Sequence, residues 1–292
     1  MEQIMKYIDR NGRKTYISSN QDKLLKIFYS TILGRCMIRS LIQPKISELG
    51  GAFLNTKLSA CFIKPFIKHT GIDLSQYEEK DYKSYNEFFI RRIKEECRPI
   101  AMNPEKLISP CDGKLSVYKI HSDLSFQIKH TWYKIESLLH SKRLAKLYQG
   151  GYACVFRLTV DDYHRYCYMD DGLKSKNFRI PGVFHTVNPI ANDYYPIYKE
   201  NTREFCLLKS KNFGTILIME VGALFVGRIN NYDEKKTVKR GEEKGRFEFG
   251  GSTIVVLFQK DKVELDCDLL KNTKNGFETI VKMGETIGKK RE

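Results

Sequence analysis

The sequence predicts an α+β protein, a β-rich body of short, mainly antiparallel strands with a basic helical region packed against it. Three observations carry that reading. Beyond Gly150-Gly151, apolar runs of strand length follow one another: Ala153 to Val160, Gly182 to Val187, Phe205 to Leu208, Thr215 to Val226 and Thr253 to Phe258. Gly and Asp or Asn turns separate these runs, which is how strands are punctuated. The first hundred residues lack that rhythm and repeat their apolar residues at helical spacing instead. No linker parts the two regions, so residues 1–100 are expected to pack on a body formed by residues 101–292.

The helical region opens with Leu24, Leu25, Ile27, Phe28, Ile32, Leu33, Met37, Ile38, Leu41 and Ile42. Lys23, Lys26, Arg35 and Arg39 lie among them, and Pro44 ends the run. A second piece carries Phe53, Leu54, Leu58, Phe62, Phe66 and Ile67, interleaved with Lys57, Lys64 and Lys68 and broken at Pro65. Such faces either pack on the body or lie in a membrane interface. Ser84-Tyr85-Asn86-Glu87 has the form of a capping box, starting a short helix through Phe88, Phe89 and Ile93. At about Ile108 the pattern changes. Ser109-Pro110-Cys111-Asp112-Gly113-Lys114 contains a tight turn, Leu115 to Tyr118 alternate as a strand, and Ile135 to Tyr148 reads as helix.

Charge narrows the partners. The net charge of +15 over 292 residues attracts anionic surfaces, either nucleic acid phosphates or acidic lipid headgroups. No zinc-finger, helix-turn-helix or aromatic RNA-binding pattern supports nucleic acid. The eight cysteines include no CxxC pair, and His164 with Cys167 has no second ligand pair behind it, so no metal site is expected. Met1 to Lys14 is polar and charged, unlike a signal peptide, and scattered thiols fit a reducing compartment. The longest apolar run, Thr215 to Val226, is interrupted by Glu220 and too short to span a bilayer, so no integral membrane protein is expected.

The most informative stretch runs from Arg240 to Phe258, where Gly250 and Gly251 stand directly before Ser252, the residue that opens an apolar strand. Paired glycines adopt backbone angles closed to other residues and allow close approach of another group. Asp112 sits in the turn Pro110-Cys111-Asp112-Gly113, and His164 follows the strand Ala153 to Val160. A serine, a histidine and an aspartate at strand edges form a base-activated nucleophile if the fold joins them. Taken singly, Asp112 is a turn-former and His164 a structural imidazole. A serine hydrolase is disfavoured because no Gly-x-Ser-x-Gly elbow surrounds Ser252.

From about Tyr85 to Lys289 the chain resembles the bacterial phosphatidylserine decarboxylases. The matching pieces are Asn86-Glu87-Phe88-Phe89 with Arg91 or Arg92, Arg98-Pro99-Ile100, Pro110-Cys111-Asp112-Gly113, Asp162-Tyr163-His164-Arg165, Thr186-Val187-Asn188, Val221-Gly222-Ala223 with Val226-Gly227, and Gly245 to Phe258. Their order and spacing make the match specific. The resemblance implies a self-processing enzyme that decarboxylates phosphatidylserine to phosphatidylethanolamine. Ser252, its proton taken by His164 with Asp112 orienting the imidazole, would attack the Gly251 carbonyl and split the chain into residues 1–251 and 252–292. These fragments would stay together as a heterodimer of β and α chains, with a further homo-oligomer left open. Ser252 would become a pyruvoyl group, the only cofactor, on which the substrate amine forms a Schiff base; no metal takes part.

The resemblance also implies a place: the cytoplasmic side of the cell membrane, held peripherally to anionic lipid by the basic, amphipathic segments between Leu24 and Lys68. One departure matters. Many relatives carry a second histidine three residues after the first, and here that position is Cys167. Either His164 serves both the cleavage and the protonation step or another group shares them, with His185 in Phe184-His185-Thr186-Val187-Asn188 the nearest candidate. A lipid-binding relative without chemistry is the main rival; the presence of Gly251, Ser252, Asp112 and His164 speaks against it.

Overall fold

Strands buried on both faces read as unbroken apolar runs, and the centre of this structure is made of them. The computed structural model describes residues 5–17, 20–128, 131–192, 194–223, 228–248 and 252–291. Its largest sheet has eleven strands. Its middle runs Arg203–Ser210, Thr215–Val221, Ser252–Phe258, Tyr152–Leu158, Gly113–Lys119 and Glu278–Val281, each antiparallel to the next. Along Ser252–Phe258 every residue is buried. Ile254, Val256 and Phe258 enter one apolar cluster, with Leu158, Tyr166, Cys167 and Phe247. Val255 and Leu257 enter the other, with Tyr29, Tyr133, Tyr198 and Met219. Alternate side chains thus face different layers, and the α+β architecture follows from packing a layer on each face.

Two smaller three-stranded sheets cover the body. One joins Arg228–Asn231, Glu243–Glu248 and Arg165–Cys167; the other joins Val263–Leu265, Thr286–Lys290 and Lys106–Ile108. The first is fastened to the main sheet by a buried ion pair. Lys244 Nζ lies 2.8 Å from Glu220 Oε1, both side chains are wholly inaccessible, and Asn231 links the pair to Glu204.

The N-terminal region is helical where the sequence repeats at helical spacing, over Asn20–Ser30, Ile32–Leu41, Pro44–Leu54 and Ile63–Thr70. Thr31 caps the second helix by accepting a hydrogen bond from Gly34 N. Pro44 both ends that run and begins the third helix, where no N–H partner is needed. Pro65 lies in the first turn of the fourth, for the same reason, and does not break it. The same region also holds strands that the helical reading missed. Met5–Ile8 pairs in parallel with Glu278–Val281 and antiparallel with Lys14–Ile17. Asp9 Oδ1 accepts from Asn11 N and Arg13 N, and Gly12 takes φ +86° to close the turn.

Four other expected elements differ. The capped helix covers Tyr85–Phe89 only; Ser84 Oγ accepts from Glu87 N as the box requires, but the chain leaves at Ile90, and Ile93 pairs with Tyr77. Ile135 to Tyr148 is two short helices, Ile135–Leu139 and Lys142–Lys146, parted where His140 turns left-handed at φ +50°. Gly182 to Val187 is not a strand. A Cβ on Gly182 would meet the Glu200 carbonyl at 2.1 Å, and His185 N donates to the Asn201 side chain rather than to a neighbouring strand. Thr215–Val221 is shorter than the apolar run, whose end at Leu224 to Val226 lies outside the described residues.

Breaking the buried pair leaves one charge uncompensated in a dry layer, which costs about 3–5 kcal/mol. Lys244→Met is therefore expected to destabilise the protein by that order in urea unfolding. The Lys244→Met/Glu220→Met double variant, with neither charge left, is expected to recover most of the loss.

Candidate active site

The register of the main sheet gathers three distant segments at one end. Val281 stands beside Gly113, Lys114 beside Arg157, Leu158 opposite Ser252, and Val221 opposite Thr253. Asp112 thus precedes its strand at the end where Leu158 leaves its own and Ser252 begins. The turn after Leu158 carries the chain to His164, whose carbonyl accepts from Phe247 N in the strand leading to Ser252. Phe249, Gly250 and Gly251, which complete the connection, lie outside the described residues, as do Val226 and Gly227.

Ser252 and His164 share a state found at a few other buried atoms, the neighbouring Thr253 Oγ1 among them. The serine is fully buried, and its Oγ has no hydrogen-bond partner among the described residues. The imidazole is 1% exposed and packs against the Phe89 ring, with centroids 4.2 Å apart. Its Nδ1 lies 2.9 Å from the Asp162 backbone oxygen. A carbonyl only accepts, so Nδ1 carries the proton and Nε2 keeps its lone pair. Nε2 too is buried, without a partner among the described residues. Burial pushes the ring's pKa down to about 4, against the upward pull of the Asp162 carboxylate and with the help of Arg91. The imidazole is therefore neutral at pH 7, with a free basic nitrogen.

Asp112 does not orient that ring in this structure. Arg98 Nε lies 2.9 Å from Asp112 Oδ1, Arg98 Nη2 lies 2.6 Å from Oδ2, and Met283 N donates to Oδ1 at 2.9 Å. This bidentate clamp engages both carboxylate oxygens and braces the turn before Gly113. The hydrogen bond expected from Asp112 to the imidazole is made by the Asp162 carbonyl instead, because a main-chain oxygen two residues away reaches Nδ1 first.

Cys167 and His185 lie on different layers. Cys167 is buried among Tyr166, Phe247 and Leu158; its backbone N donates to Pro110 O, and burial raises its thiol to about 12, so it stays protonated. His185 stacks on Tyr195 with centroids 4.7 Å apart, and its Nε2 lies 3.3 Å from a Glu200 carboxylate oxygen. That oxygen accepts, so Nε2 carries the proton and Nδ1 receives the Tyr29 hydroxyl at 3.2 Å. Desolvation lowers its pKa to about 4. Asn201 ties this segment to the sheet end: its Nδ2 donates to both His185 O and Gly222 O. Among the described residues no group of three or more His, Cys, Asp or Glu is placed to hold a metal ion.

The family model described as phosphatidylserine decarboxylase matches residues 85–289. The chain belongs to that family, and it is an enzyme of the decarboxylase class. It is 46% identical over 265 residues to phosphatidylserine decarboxylase proenzyme 2 of Clostridium acetobutylicum, covering 90% of this chain and 91% of that one. It is 40% identical over 274 residues to a phosphatidylserine decarboxylase proenzyme of Clostridium perfringens strain SM101, covering 92% and 93%. A proenzyme of the same description from Clostridium botulinum strain 657 is 37% identical over 295 residues, covering 99% and 100%.

Neutral burial of His164 has a pH signature. Below about 6.5 the unfolded chain binds a proton that the folded ring refuses until about pH 4. The stability this histidine contributes is complete above the unfolded pKa and is lost as pH falls from about 6.5 to 4, by roughly 3 kcal/mol. Denaturant unfolding from pH 7 to pH 4 should show that loss, and His164→Gln should flatten the curve by a similar amount.

Proposed function

We propose that the chain cuts itself between Gly251 and Ser252 and then decarboxylates phosphatidylserine to phosphatidylethanolamine at a membrane surface. The observation that carries this reading is that two buried atoms at one end of the main sheet, Ser252 Oγ and His164 Nε2, have no partner among the described residues. A buried hydroxyl without a partner is unfavourable by about 1–3 kcal/mol, so it is retained where reactivity requires it. His164 Nε2 takes the proton from Ser252 Oγ, which forms a bond to the Gly251 carbonyl carbon as the Gly251–Ser252 amide becomes an ester. Abstraction of the Ser252 α-proton then expels the Gly251 carboxylate and divides the chain. The remaining enamine tautomerises, and water releases ammonia.

The residues fit a pyruvoyl group formed in place. Ser252 is paired with Leu158, and the strand it begins has a partner on either side, so a carbonyl at that position is held rigidly. The pyruvoyl carbonyl supplies the electron sink for decarboxylation. Around it the chain excludes water through Leu158, Tyr166 and Phe247, while His164 holds a neutral imidazole able to move a proton. His185 and Cys167 stand as candidates for substrate or proton-transfer roles, and the Arg98 clamp keeps Asp112 at the same sheet end.

Residues 1–100 supply the docking region in this reading. Ile32, Leu33 and Leu58 are about three-quarters exposed, and Leu49 is 68% exposed, on segments carrying Arg35, Arg39 and Lys57. Apolar side chains entering the headgroup layer beside lysine and arginine suit anionic lipid and a peripheral location at the cytoplasmic face. Among the described residues no helix is long and apolar enough to cross a membrane.

Intact mass under denaturing conditions tests the cleavage. Two fragments meeting at Gly251 and Ser252 are expected, the smaller lighter by one ammonia than a serine-started peptide. Ser252→Ala is expected to leave one chain, and a wild-type chain that stays whole in the presence of anionic vesicles overturns the reading. Vesicle sedimentation tests the docking: Ile32→Asp with Leu33→Asp is expected to weaken binding to phosphatidylserine-containing vesicles by about ten-fold or more while fragment formation continues.

A further inference from the structure

Burial at the site extends past the imidazole to a lysine that the chemistry above does not use. Lys114 follows Asp112 and Gly113 at the start of its strand, and its side chain is 8% exposed. Its Nζ lies 2.6 and 2.8 Å from the two Asp162 carboxylate oxygens and 2.5 Å from Thr159 Oγ1. Asp162 Oδ2 also accepts from Thr159 N at 2.6 Å and from Thr159 Oγ1 at 2.9 Å. The turn from Thr159 to Asp162 is therefore closed on its own carboxylate, and one buried ammonium pins it. The backbone oxygen of that same Asp162 accepts the Nδ1–H of His164.

We infer that Lys114 is a positioning residue for self-cleavage: by gripping the Asp162 carboxylate it aims the Asp162 carbonyl at His164, fixing the tautomer that leaves Nε2 free toward Ser252. The inference rests on the reading that Ser252 is converted through His164. Two physical effects follow from the contacts. The first is geometric, since a released Asp162 carboxylate can rotate, and the turn that carries its carbonyl loses its closure. The second is electrostatic. Asp162 and Asp161 both favour the protonated imidazole, whereas Arg91, from beyond the short helix Tyr85–Phe89, opposes it. Lys114 lies against both carboxylates, at 2.6 Å from Asp162 and 3.9 Å from Asp161, and offsets their field. Without it the ring gains a proton more readily and ceases to be a base. Asp112 is not available for the same task while Arg98 holds both its oxygens.

The test follows fragment formation by freshly folded precursor from pH 3 to pH 8. Lys114→Met is expected to slow processing about 10²-fold, the scale of a misplaced catalytic group. It is also expected to move the acid limb of the rate profile up by about one pH unit. Asp162→Asn, which keeps the carbonyl and removes the charge, is expected to move that limb down, and Lys114→Arg to restore most of the rate. A purely structural lysine would lower the yield of folded protein and leave the limb where it was; that result, or a wild-type rate in Lys114→Met, overturns the inference. Should Lys114→Met not fold, the Lys114→Gln/Asp162→Asn double variant removes both charges at once. It is expected to process slowly, and a wild-type rate in it overturns the inference as well.

A second readout does not depend on cleavage. In Ser252→Ala precursor, imidazole ¹⁵N chemical shifts, assigned with His164→Gln, are expected to report a proton on Nδ1 of His164 at neutral pH. Added Lys114→Met is expected to raise the pH at which that ring titrates. A protonated Nε2, or titration unmoved by the substitution, overturns the role of Lys114. Failure of the wild-type chain to cleave, with these shifts as expected, counts against the self-cleavage reading alone.

Discussion

Exclusion of water from one end of the main sheet is the constraint on which the site depends. Ser252 Oγ and His164 Nε2 are buried without partners among the described residues, which opposes folding, and the surrounding contacts hold them there nonetheless. Strand pairing on either side fixes the serine, the Phe89 ring packs against the histidine, and Phe247 N holds the histidine's carbonyl. Water at this end would hydrogen-bond both atoms, raise the effective dielectric and return the imidazole toward its ordinary pKa. Burial thus sets protonation state and geometry together.

Buried charge is paired at the site as it is away from it, and the imidazole alone is served by a dipole. Distant buried charges are paired directly, as in Lys244 with Glu220 and Arg240 with Asp170. Near His164, the pairs Lys114–Asp162 and Arg98–Asp112 keep both carboxylates engaged without either touching the ring. The imidazole receives a dipole, the Asp162 carbonyl, instead of a full charge. A carboxylate on Nδ1 would stabilise the imidazolium and raise the pKa; a carbonyl fixes the tautomer with a smaller effect on basicity.

The β-rich body was legible because strands inside a two-faced sheet leave long apolar runs, and Thr253 to Phe258 is one of them. Gly182 to Val187 is also a mainly apolar run of strand length, but the Asn201 side chain takes both the N–H and the carbonyl of His185 in it, and composition does not record that. The hairpin at Met5–Ile8 was overlooked although Asn11-Gly12 marks its turn, since its strands are only four residues long. At the site, Ser252 and His164 stood out through their neighbours in sequence. The partner of His164 Nδ1 is a main-chain oxygen, and every residue has one. Lys114 reads as an ordinary strand lysine until the fold brings Asp162, 48 positions away, onto its ammonium.

The order of strands in the main sheet interleaves the two sides of residue 252. Ser252–Phe258 lies between Thr215–Val221 and Tyr152–Leu158, and Glu278–Val281 lies between Gly113–Lys119 and Met5–Ile8. A break in the backbone ahead of Ser252 would leave each of those ladders intact, so the short C-terminal piece would remain woven into the long one at two places in the main sheet and at a third where Thr286–Lys290 pairs with Lys106–Ile108. Release would require unpicking the sheet itself. The molecule would behave as one cooperative unit made of two covalent pieces, and a cut at that position would leave the size of the folded particle unchanged.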